Sequence, residues 1–367
     1  MNTFDALNIF YREDTISDFL VTCFKDSHPF TTRFLHEAGI KLEEGFSFDI
    51  KTRVGLGKTI GTPDIVIRAS SGDRMKLIII ENKMGAAEGH EQTNRYESSE
   101  ARARIAKRYK MPLEKIEFHF IFLALDTTAQ PKNSQFIFLN YQIFLKDSWH
   151  VNDEKLRLLF NDFQEKLAIF YRPIEKPLES LATNLKMDGM QRKICWQAIL
   201  FDAFSANKDL LLRWGEVGGA GRNNFLFLIT KTNWTSKESF HEAGLSETFN
   251  VHIDTYINML DNRNNSVNEI GIRFETYPYV PHKKIQNHPE YQRFLDNKTE
   301  FGERLYELAK KKGISVKRKN SKLLVLAIPI QGETIGDTVQ HMKTQVEAIE
   351  TCVDQVIEEM MGENLIK

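Results

Sequence analysis

The sequence predicts an α/β domain with a mixed central β-sheet flanked by helices, followed by a helical connector and an α+β domain. Strand-length apolar runs alternate with helical patterns in the N-terminal part, the pattern turns helical after about residue 150, and strand-like runs return near residue 225. At 367 residues the chain also exceeds one ordinary hydrophobic core. We therefore expect a first domain at 1–150, a helical connector at 151–215 and a second domain at 216–367.

The N-terminal region begins with helical patterns and continues as strands. Apolar residues recur at helical spacing over Glu13–Lys25, and a second short helix is predicted over Thr31–Ala38. The predicted strands that follow are Phe46–Val54, Asp64–Ala69, Lys76–Met84 and Ile116–Leu125. A polar stretch of helical length, Glu88–Lys110, separates the last two strands. This connection is long enough for a crossover, which places those two strands parallel.

The remainder of the chain is first helical and then mixed. Helical spacing extends over Asp153–Tyr171 and Met190–Phe204. The later predicted elements are the strands Phe225–Thr232, Phe249–Leu260, Asn268–Tyr277 and Leu323–Ile330 and the helices Glu290–Lys312 and Thr338–Met361. The polar segment DNRNNS at 261–266 predicts a turn between two of these strands.

The composition limits the class of protein. Hydrophobic residues make up 41% of the chain and charged residues 27%, which predicts a compact fold. The 49 basic and 50 acidic residues nearly cancel, so a nucleic-acid partner would need a local basic surface. Cys23, Cys195 and Cys352 lack the paired spacing of zinc or redox sites, and each is expected to be buried. Because no apolar run resembles a signal peptide or a membrane span, we expect a cytoplasmic protein.

Charged residues follow apolar ones at the end of the third predicted strand. Side chains alternate along a strand, so Glu81 and Lys83 share a face with Leu77 and Ile79, whereas Asn82 points to the opposite face. One face of this strand is therefore apolar at one end and charged at the other. Burying such charges is costly unless they are paired or bind something, and a metal ion would satisfy the carboxylate.

These residue types suit the hydrolysis of a phosphodiester. The reaction needs a hard cation held by oxygen ligands, a water molecule in line, and positive charge near the transition state. Asp64 and Glu81 would supply ligands, and Asn82 would add its backbone carbonyl. Lys83 would orient or deprotonate the water, or stabilise the developing charge. The alternative is an accidental charged triplet at a strand end, because E-x-K alone is common.

The order of the surrounding residues favours a site. Pro63-Asp64 opens one strand seventeen positions before Glu81, and a Ser-Ser-Gly-Asp turn between them predicts a hairpin that brings Asp64 beside Glu81. The set Pro63-Asp64 and Glu81-Asn82-Lys83 resembles the PD-(D/E)XK nuclease superfamily, whose fold is shared by many restriction endonucleases. The resemblance covers residues 1–150. It implies a restriction-endonuclease-like core and Mg²⁺-dependent hydrolysis of DNA, with Mn²⁺ as a substitute.

Two further segments resemble bacterial members of that superfamily. Glu13 occupies the place of a first-helix glutamate that reaches toward the metal, which implies a catalytic or third-ligand role; a first-turn carboxylate that favours the helix dipole is the alternative. Gln92 and Tyr96 lie four residues apart and resemble a Q-x-x-x-Y pattern of the crossover helix. The resemblance implies that Gln92 contacts the scissile region or its water, although a solvated helix would show the same spacing.

The predicted crossover helix is rich in basic residues. Such a surface could neutralise backbone phosphates, or it could be only a solvated helical face. The residues that we predict to contact nucleic acid are Arg95, Tyr96, Arg102 and Lys107.

The segment Gly55-Leu56-Gly57-Lys58-Thr59 superficially resembles a nucleotide-binding loop. That loop needs a glycine where Thr52 stands and a helix directly afterwards, but a strand follows here. We therefore predict a glycine-rich turn near the catalytic edge.

The sequence thus favours a metal-dependent DNA nuclease, with restriction or defence against phage or plasmids as a role suggested by analogy only. Two alternatives stay open, a non-catalytic nucleic-acid-binding or regulatory protein on the same fold and an RNA-directed nuclease. A homodimer is a reasonable expectation because many related enzymes cut both strands as dimers. The C-terminal domain would recognise a target, join protomers or sense a signal, and the sequence does not choose among these.

Overall fold

The computed structural model describes residues 2–43, 45–183, 187–219, 222–258, 267–321 and 324–367. The chain divides into two compact units, Met1–Tyr171 and Arg172–Lys367. The segment predicted as a connector is shared between them, with residues up to 171 in the first unit and the others in the second. Across the described ranges, every helix is too short or too polar to cross a bilayer. The three cysteines are buried, as predicted.

The first unit is a mixed sheet with helices on both faces. Its helices are α1 (Thr3–Ala6), α2 (Glu13–Asp26), α3 (His28–Glu37), α4 (Gln92–Glu97), α5 (Ser99–Tyr109) and α6 (Glu154–Glu175), which ends beyond the division. Short 3₁₀ helices cover Leu113–Lys115 and Tyr141–Leu145. Its strands are β1 (Ser47–Thr52), β2 (Ile65–Ser71), β3 (Arg74–Lys83), β4 (Ile116–Ala124) and β5 (Phe136–Asn140).

The strands of the first unit lie side by side in chain order, from β1 to β5. β1, β2 and β3 pair antiparallel, whereas β3, β4 and β5 pair parallel. The crossover between β3 and β4 is therefore confirmed, and so is the mixed sheet. β3 is the strand at which the two kinds of pairing meet, and it is buried on both faces along most of its length.

The crossover that was predicted as one helix is two. Glu91 adopts a left-handed φ of 49°, so α4 begins only at Gln92. Ser98 is extended and its hydroxyl accepts a hydrogen bond from the Ala101 amide, which caps α5. A serine that bonds the backbone three residues ahead favours a new helix start over helix continuation. The single helical pattern over Glu88–Lys110 could not show this break.

The two faces of β3 pack against different helices. Leu77 and Ile79 belong to a core cluster with Tyr96 of α4 and with Ala101 and Ile105 of α5. Because side chains alternate, the residues between them face the other side of the sheet, where α2 lies. The odd-numbered and even-numbered residues at the end of β3 are therefore directed into two separate environments.

The second unit contains an antiparallel sheet within its described residues. Its helices are α7 (Gly189–Phe204), α8 (Phe240–Ala243), α9 (His282–Ile285), α10 (Tyr291–Lys311) and α11 (Ile335–Gly362), with a 3₁₀ helix at Thr232–Trp234. Its strands are β6 (Leu211–Gly219), β7 (Arg222–Thr230), β8 (Asn250–Asn258), β9 (Glu269–Glu275), β10 (Lys317–Ser321) and β11 (Leu324–Pro329). They lie in the order β10-β11-β9-β8-β7-β6.

Two strands of this sheet were not predicted from the sequence. β10 reads KRKNS and has no apolar alternation, which is typical of a charged edge strand. β6 occupies the other edge and contains three glycines, which weaken the strand pattern. The turn predicted at 261–266 lies outside the described residues.

A buried ion pair lies inside this second sheet. Asp254 on β8 is 2% exposed and accepts a hydrogen bond from Nε of Arg273 on β9. Burial raises the pKa of Asp254 to about 6, against the opposing effect of Arg273. Gly271 lies directly across from Asp254, and a Cβ there would come within 2.7 Å of the Asp254 carboxylate oxygen. The glycine therefore leaves the space that the carboxylate fills.

We expect Arg273→Met to destabilise the second unit by about 3 kcal/mol, because it leaves the Asp254 carboxylate buried without its cation. Lys319→Met is the matched control, since Lys319 pairs with Glu269 at the exposed surface of the same sheet. Thermal unfolding of both variants measures the difference. Equal unfolding midpoints for the two variants would contradict a stabilising role for the buried pair.

Candidate active site

The hairpin formed by β2 and β3 places Asp64 next to the strand that carries Glu81. Ile65 pairs with Ile80, so Asp64 lies beside the next residues of β3. The backbone amide of Asn82 donates a hydrogen bond of 2.7 Å to Oδ2 of Asp64. Asp64 therefore lies beside β3, and its carboxylate interacts electrostatically with that of Glu81.

Glu81 and Lys83 occupy the same face of β3, as their spacing predicted. Nζ of Lys83 lies 2.6 Å from Oε1 of Glu81. Glu81 is fully buried and Lys83 is 7% exposed, so this pair is largely removed from water. Oε2 of Glu13, the first residue of α2, lies 3.7 Å from the same ammonium, and its Oε1 accepts a hydrogen bond from the Met84 amide. Three carboxylates, including Asp64, thus interact electrostatically with one ammonium.

The pKa values show that negative charge is in excess here. Burial raises the pKa of Glu81 to about 8, and the Asp64 carboxylate adds to this effect while Lys83 opposes it. Burial also raises the pKa of Asp64 to about 6, against the Asn82 hydrogen bond and Lys83. Burial alone would lower the pKa of Lys83, but Glu81, Glu13 and Asp64 outweigh it and raise that pKa. The ammonium is therefore held protonated while the carboxylates lack compensation.

Glu81 is the residue whose surroundings best fit a bound cation. Both of its carboxylate oxygens are buried; Oε1 has the Lys83 ammonium at 2.6 Å, and Oε2 accepts no hydrogen bond from the described residues. Buried carboxylates are normally satisfied by donors or by a metal. Among the described residues, no group of three or more His, Cys, Asp or Glu side chains converges on one point. A pair of carboxylates nevertheless fits Mg²⁺, which often takes one or two of them and fills its other positions with water and phosphate oxygens.

The comparison with protein families agrees with this geometry. Residues 1–163 match the family model described as PD-(D/E)XK nuclease superfamily. The first unit is similar to that superfamily over nearly its whole length. Its five-stranded mixed sheet is the restriction-endonuclease-like core that the sequence predicted. No curated protein and no solved structure matched the chain in the same comparisons.

The middle residue of the superfamily motif, Asn82, faces the opposite side of β3, as predicted. Its side-chain amide donates to the Ser17 hydroxyl at 2.9 Å and to the backbone carbonyl of Glu13 at 3.3 Å. Its amide oxygen accepts a hydrogen bond from the Tyr141 hydroxyl. Asn82, Ser17 and Tyr141 are all fully buried. Their part in fixing β3 was missed because a lone Ser and a lone Tyr carry no sequence signal of a shared bond.

Gln92 and Tyr96 of α4 form a supporting pair in this PD-(D/E)XK core. Nε2 of Gln92 donates to the Tyr96 hydroxyl at 3.1 Å, and Oε1 accepts from the Gly89 amide. Tyr96 is 1% exposed, and a Cβ on Gly61 would lie 3.5 Å from its ring. Burial, reinforced by Glu81, raises the pKa of Tyr96 to about 12. The structure thus places Tyr96 inside the core and not on a surface that nucleic acid could reach, which changes the expectation for this residue.

The basic residues that were expected to contact nucleic acid separate into two kinds. Arg95 donates to the backbone carbonyls of Ile60 and His90. Arg102 bonds Glu97 and lies over the ring of Phe118. Both guanidinium groups are therefore engaged in holding the fold together. Lys107 is exposed, with no ion pair to any described residue.

The excess of negative charge predicts how the metal-free protein depends on pH. Because the pKa of Asp64 is raised in the folded state, its favourable contribution is fully present below about 3.8 and is lost as the pH rises through about 6. Asp64→Asn imitates the protonated form. In EDTA at pH 8 we expect this variant to be more stable than the wild type by about 1 kcal/mol, with the difference shrinking toward pH 5.

Thermal unfolding in EDTA between pH 5 and pH 8 measures this effect. The control is Asp73→Asn, because Asp73 is an exposed carboxylate whose pKa is lowered by a hydrogen bond from Lys115. That variant should show no gain at pH 8. A loss of stability in Asp64→Asn at pH 8 would mean that the site does not carry uncompensated charge.

Proposed function

We propose that the protein is a Mg²⁺-dependent nuclease that hydrolyses DNA phosphodiester bonds. Asp64 and Glu81 would hold the cation, and Lys83 would be the catalytic ammonium. The observation that carries the proposal is the fully buried Glu81, which has the Lys83 ammonium beside Oε1 and no hydrogen-bond donor from the described residues at Oε2. The match of residues 1–163 to a nuclease superfamily supports the same reaction.

The chain's own residues prepare this site for an anionic substrate. Asn82 holds Asp64 through its backbone amide, which fixes one carboxylate oxygen and leaves the other for a ligand. A bound divalent cation would polarise the phosphoryl oxygens and supply a nucleophilic water. Lys83 is directed by Glu81 and Glu13 and stays protonated. A protonated lysine suits stabilisation of the developing negative charge better than removal of a proton from water.

Two further ligands are part of the proposal. The backbone carbonyl of Asn82 would add an oxygen next to Glu81. Glu13 would act as an outer carboxylate, because one of its oxygens already accepts the Met84 amide and the other lies near Lys83. Gln92 would act by orienting the Tyr96 hydroxyl. Asn82 and Glu13 would thus act beside Glu81 and Lys83, and Gln92 would act through Tyr96.

The choice of DNA and the biological role rest on analogy with the superfamily. A role in restriction or in defence against phage or plasmids and a homodimeric assembly are proposed on the same ground. Mn²⁺ should replace Mg²⁺, since both are hard cations that take oxygen ligands.

Cleavage assays test the proposal directly. We expect the wild type to cut DNA in Mg²⁺ or Mn²⁺ and not in EDTA. Asp64→Ala and Lys83→Ala should each lower the rate by about 100-fold or more, as expected when preorganised charge at a transition state is lost. Lys76→Ala is the matched control, because Lys76 lies at the other end of β3 and pairs with Glu117.

The same assay with RNA separates the alternatives. Cleavage of RNA alone would replace DNA as the substrate, and the site assignment would stand. An absence of cleavage of either polymer, with binding retained, would favour a non-catalytic protein on this fold. Full activity in Asp64→Ala would overturn the site itself.

A further inference from the structure

The loop between β1 and β2 ends at the proposed catalytic aspartate. The amide of Arg53 donates to the carbonyl of Asp64 at 3.0 Å, which closes the base of the loop. Within it, the Leu56 amide donates to the Gly61 carbonyl at 2.9 Å, and the Gly61 amide donates to the Gly57 carbonyl at 2.8 Å. Residues 54–63 thus form a compact loop whose last residue adjoins Asp64.

Helix α5 holds this loop through two arginines. Nη1 of Arg104 donates to the Leu56 carbonyl at 2.9 Å, and Nη1 of Arg108 donates to the Gly55 carbonyl at 3.2 Å. Gly57 has a φ of +104°, and a Cβ there would lie 1.8 Å from the Arg104 guanidinium. Only glycine combines this backbone conformation with so close an approach. The loop is therefore shaped around a cation.

A concave surface lies between the loop and α5, and we call it the loop–α5 cleft. It has a volume of about 400 Å³ and is lined by Gly55, Leu56, Gly57, Arg104, Lys107 and Arg108. Three of these residues are cationic, and no carboxylate is among them. The carbonyl groups that accept from Arg104 and Arg108 are neutral, but Arg104 also pairs with Glu100 at 2.7 Å, so of these two arginines Arg108 is the one whose charge these contacts leave uncompensated.

Two exposed lysines lie at the cleft or next to it along the chain: Lys107 is a lining residue, and Lys58 directly follows the lining residue Gly57. Lys58, in the loop, and Lys107, on α5, are both exposed, and neither ammonium forms an ion pair with the described residues. Glu100 accepts hydrogen bonds from Thr59 and Arg104, so one carboxylate adjoins the cleft through Arg104. A surface with several uncompensated cations attracts a polyanion.

The position of the cleft relates it to the proposed active site. Glu81 and Lys83 point to the face of the sheet on which α4 and α5 pack, because Leu77 and Ile79 of the same face meet these helices. The Gly61 end of the loop lies near Tyr96, since a Cβ on Gly61 would be 3.5 Å from its ring, and the Tyr96 hydroxyl interacts electrostatically with Glu81. A strand of nucleic acid that reached the carboxylates on this face could continue along the loop.

We infer that the loop–α5 cleft binds the phosphodiester backbone of the substrate beside the site of cleavage, with Lys58, Lys107 and Arg108 as phosphate contacts. This inference rests on the proposed nuclease function. The open shape and the separated cations suit successive phosphates of a polymer better than one enclosed anion. Arg104 is a positioning residue, since it holds the loop and pairs with Glu100.

The experiment uses the full chain with Lys58→Gln and Lys107→Gln combined. Both side chains are exposed, so folding should be unchanged. Binding of a fluorescently labelled DNA duplex is measured by anisotropy across a salt series in the Asp64→Ala background, which removes cleavage. Each lost phosphate contact lowers the slope of log affinity against log salt by about 0.9. We expect the slope to fall by about 1.8 and Kd to rise about 10-fold or more at low salt.

The matched control is Lys25→Gln with Lys155→Gln, two exposed lysines of the first unit on α2 and α6. It changes the net charge equally and should leave both slope and Kd near those of the parent. With Asp64 intact, the cleft variant should raise KM about 10-fold and leave kcat within about twofold. An unchanged slope and Kd, or equal losses in cleft and control variants, would overturn the inference.

The two proposals can fail separately. If the wild type cuts DNA but the cleft variant binds like its Asp64→Ala parent, the cleft assignment is wrong and the nuclease assignment stands. If the protein binds DNA through the cleft but cuts neither DNA nor RNA in any metal, the nuclease assignment is wrong. If the parent does not bind the duplex, the cleft assignment is wrong for DNA.

Discussion

Burial of opposite charges at the end of β3 is the constraint on which the first unit depends. Glu81 is fully buried, and Lys83 nearly so, where antiparallel and parallel pairing meet. The free energy needed to remove these groups from water exceeds the free energy gained from one ion pair, and the excess of carboxylates adds repulsion. The surrounding core must therefore stabilise a region that is unfavourable without a cation. Such local cost is expected where charge is arranged for chemistry and not for stability.

Asn82 controls how this charge is presented. Because the side-chain period of a strand is two, any contact that fixes Asn82 also fixes the direction of its neighbours Glu81 and Lys83. Ser17 on α2 and Tyr141 after β5 form hydrogen bonds with the Asn82 side chain, while the backbone amide of Asn82 donates to Asp64. One residue thus joins the helix, both parts of the sheet and the first carboxylate. The two faces of β3 therefore differ, with the Glu81–Lys83 ion pair on one side and the hydrogen bonds of the Asn82 side chain on the other.

The sequence could predict those features that depend on local order. The alternation of Glu81 and Lys83, the hairpin that carries Asp64 and the mixed sheet all follow from spacing and turn residues. Exposure of basic and aromatic side chains depends on tertiary packing, so the sequence could not separate Lys107, which is exposed, from Arg102, which lies over an aromatic ring. Tyr96 was misplaced for the same reason. The roles of the site residues and the task of the second unit stay predictions.

The glycine-rich segment at 55–59 shows that the same spacing of glycines can meet different steric requirements. In a nucleotide-binding loop, glycines let the backbone approach a phosphate. Here Gly57 lets the backbone approach the Arg104 guanidinium, which belongs to the protein itself. The Arg104 side chain fills the space at Gly57 that a phosphate would fill in a nucleotide-binding loop. It brings a positive charge to the loop. Since the same loop leads to Asp64, its shape links a basic surface to the acidic centre, and a polyanionic substrate is the ligand that would engage both.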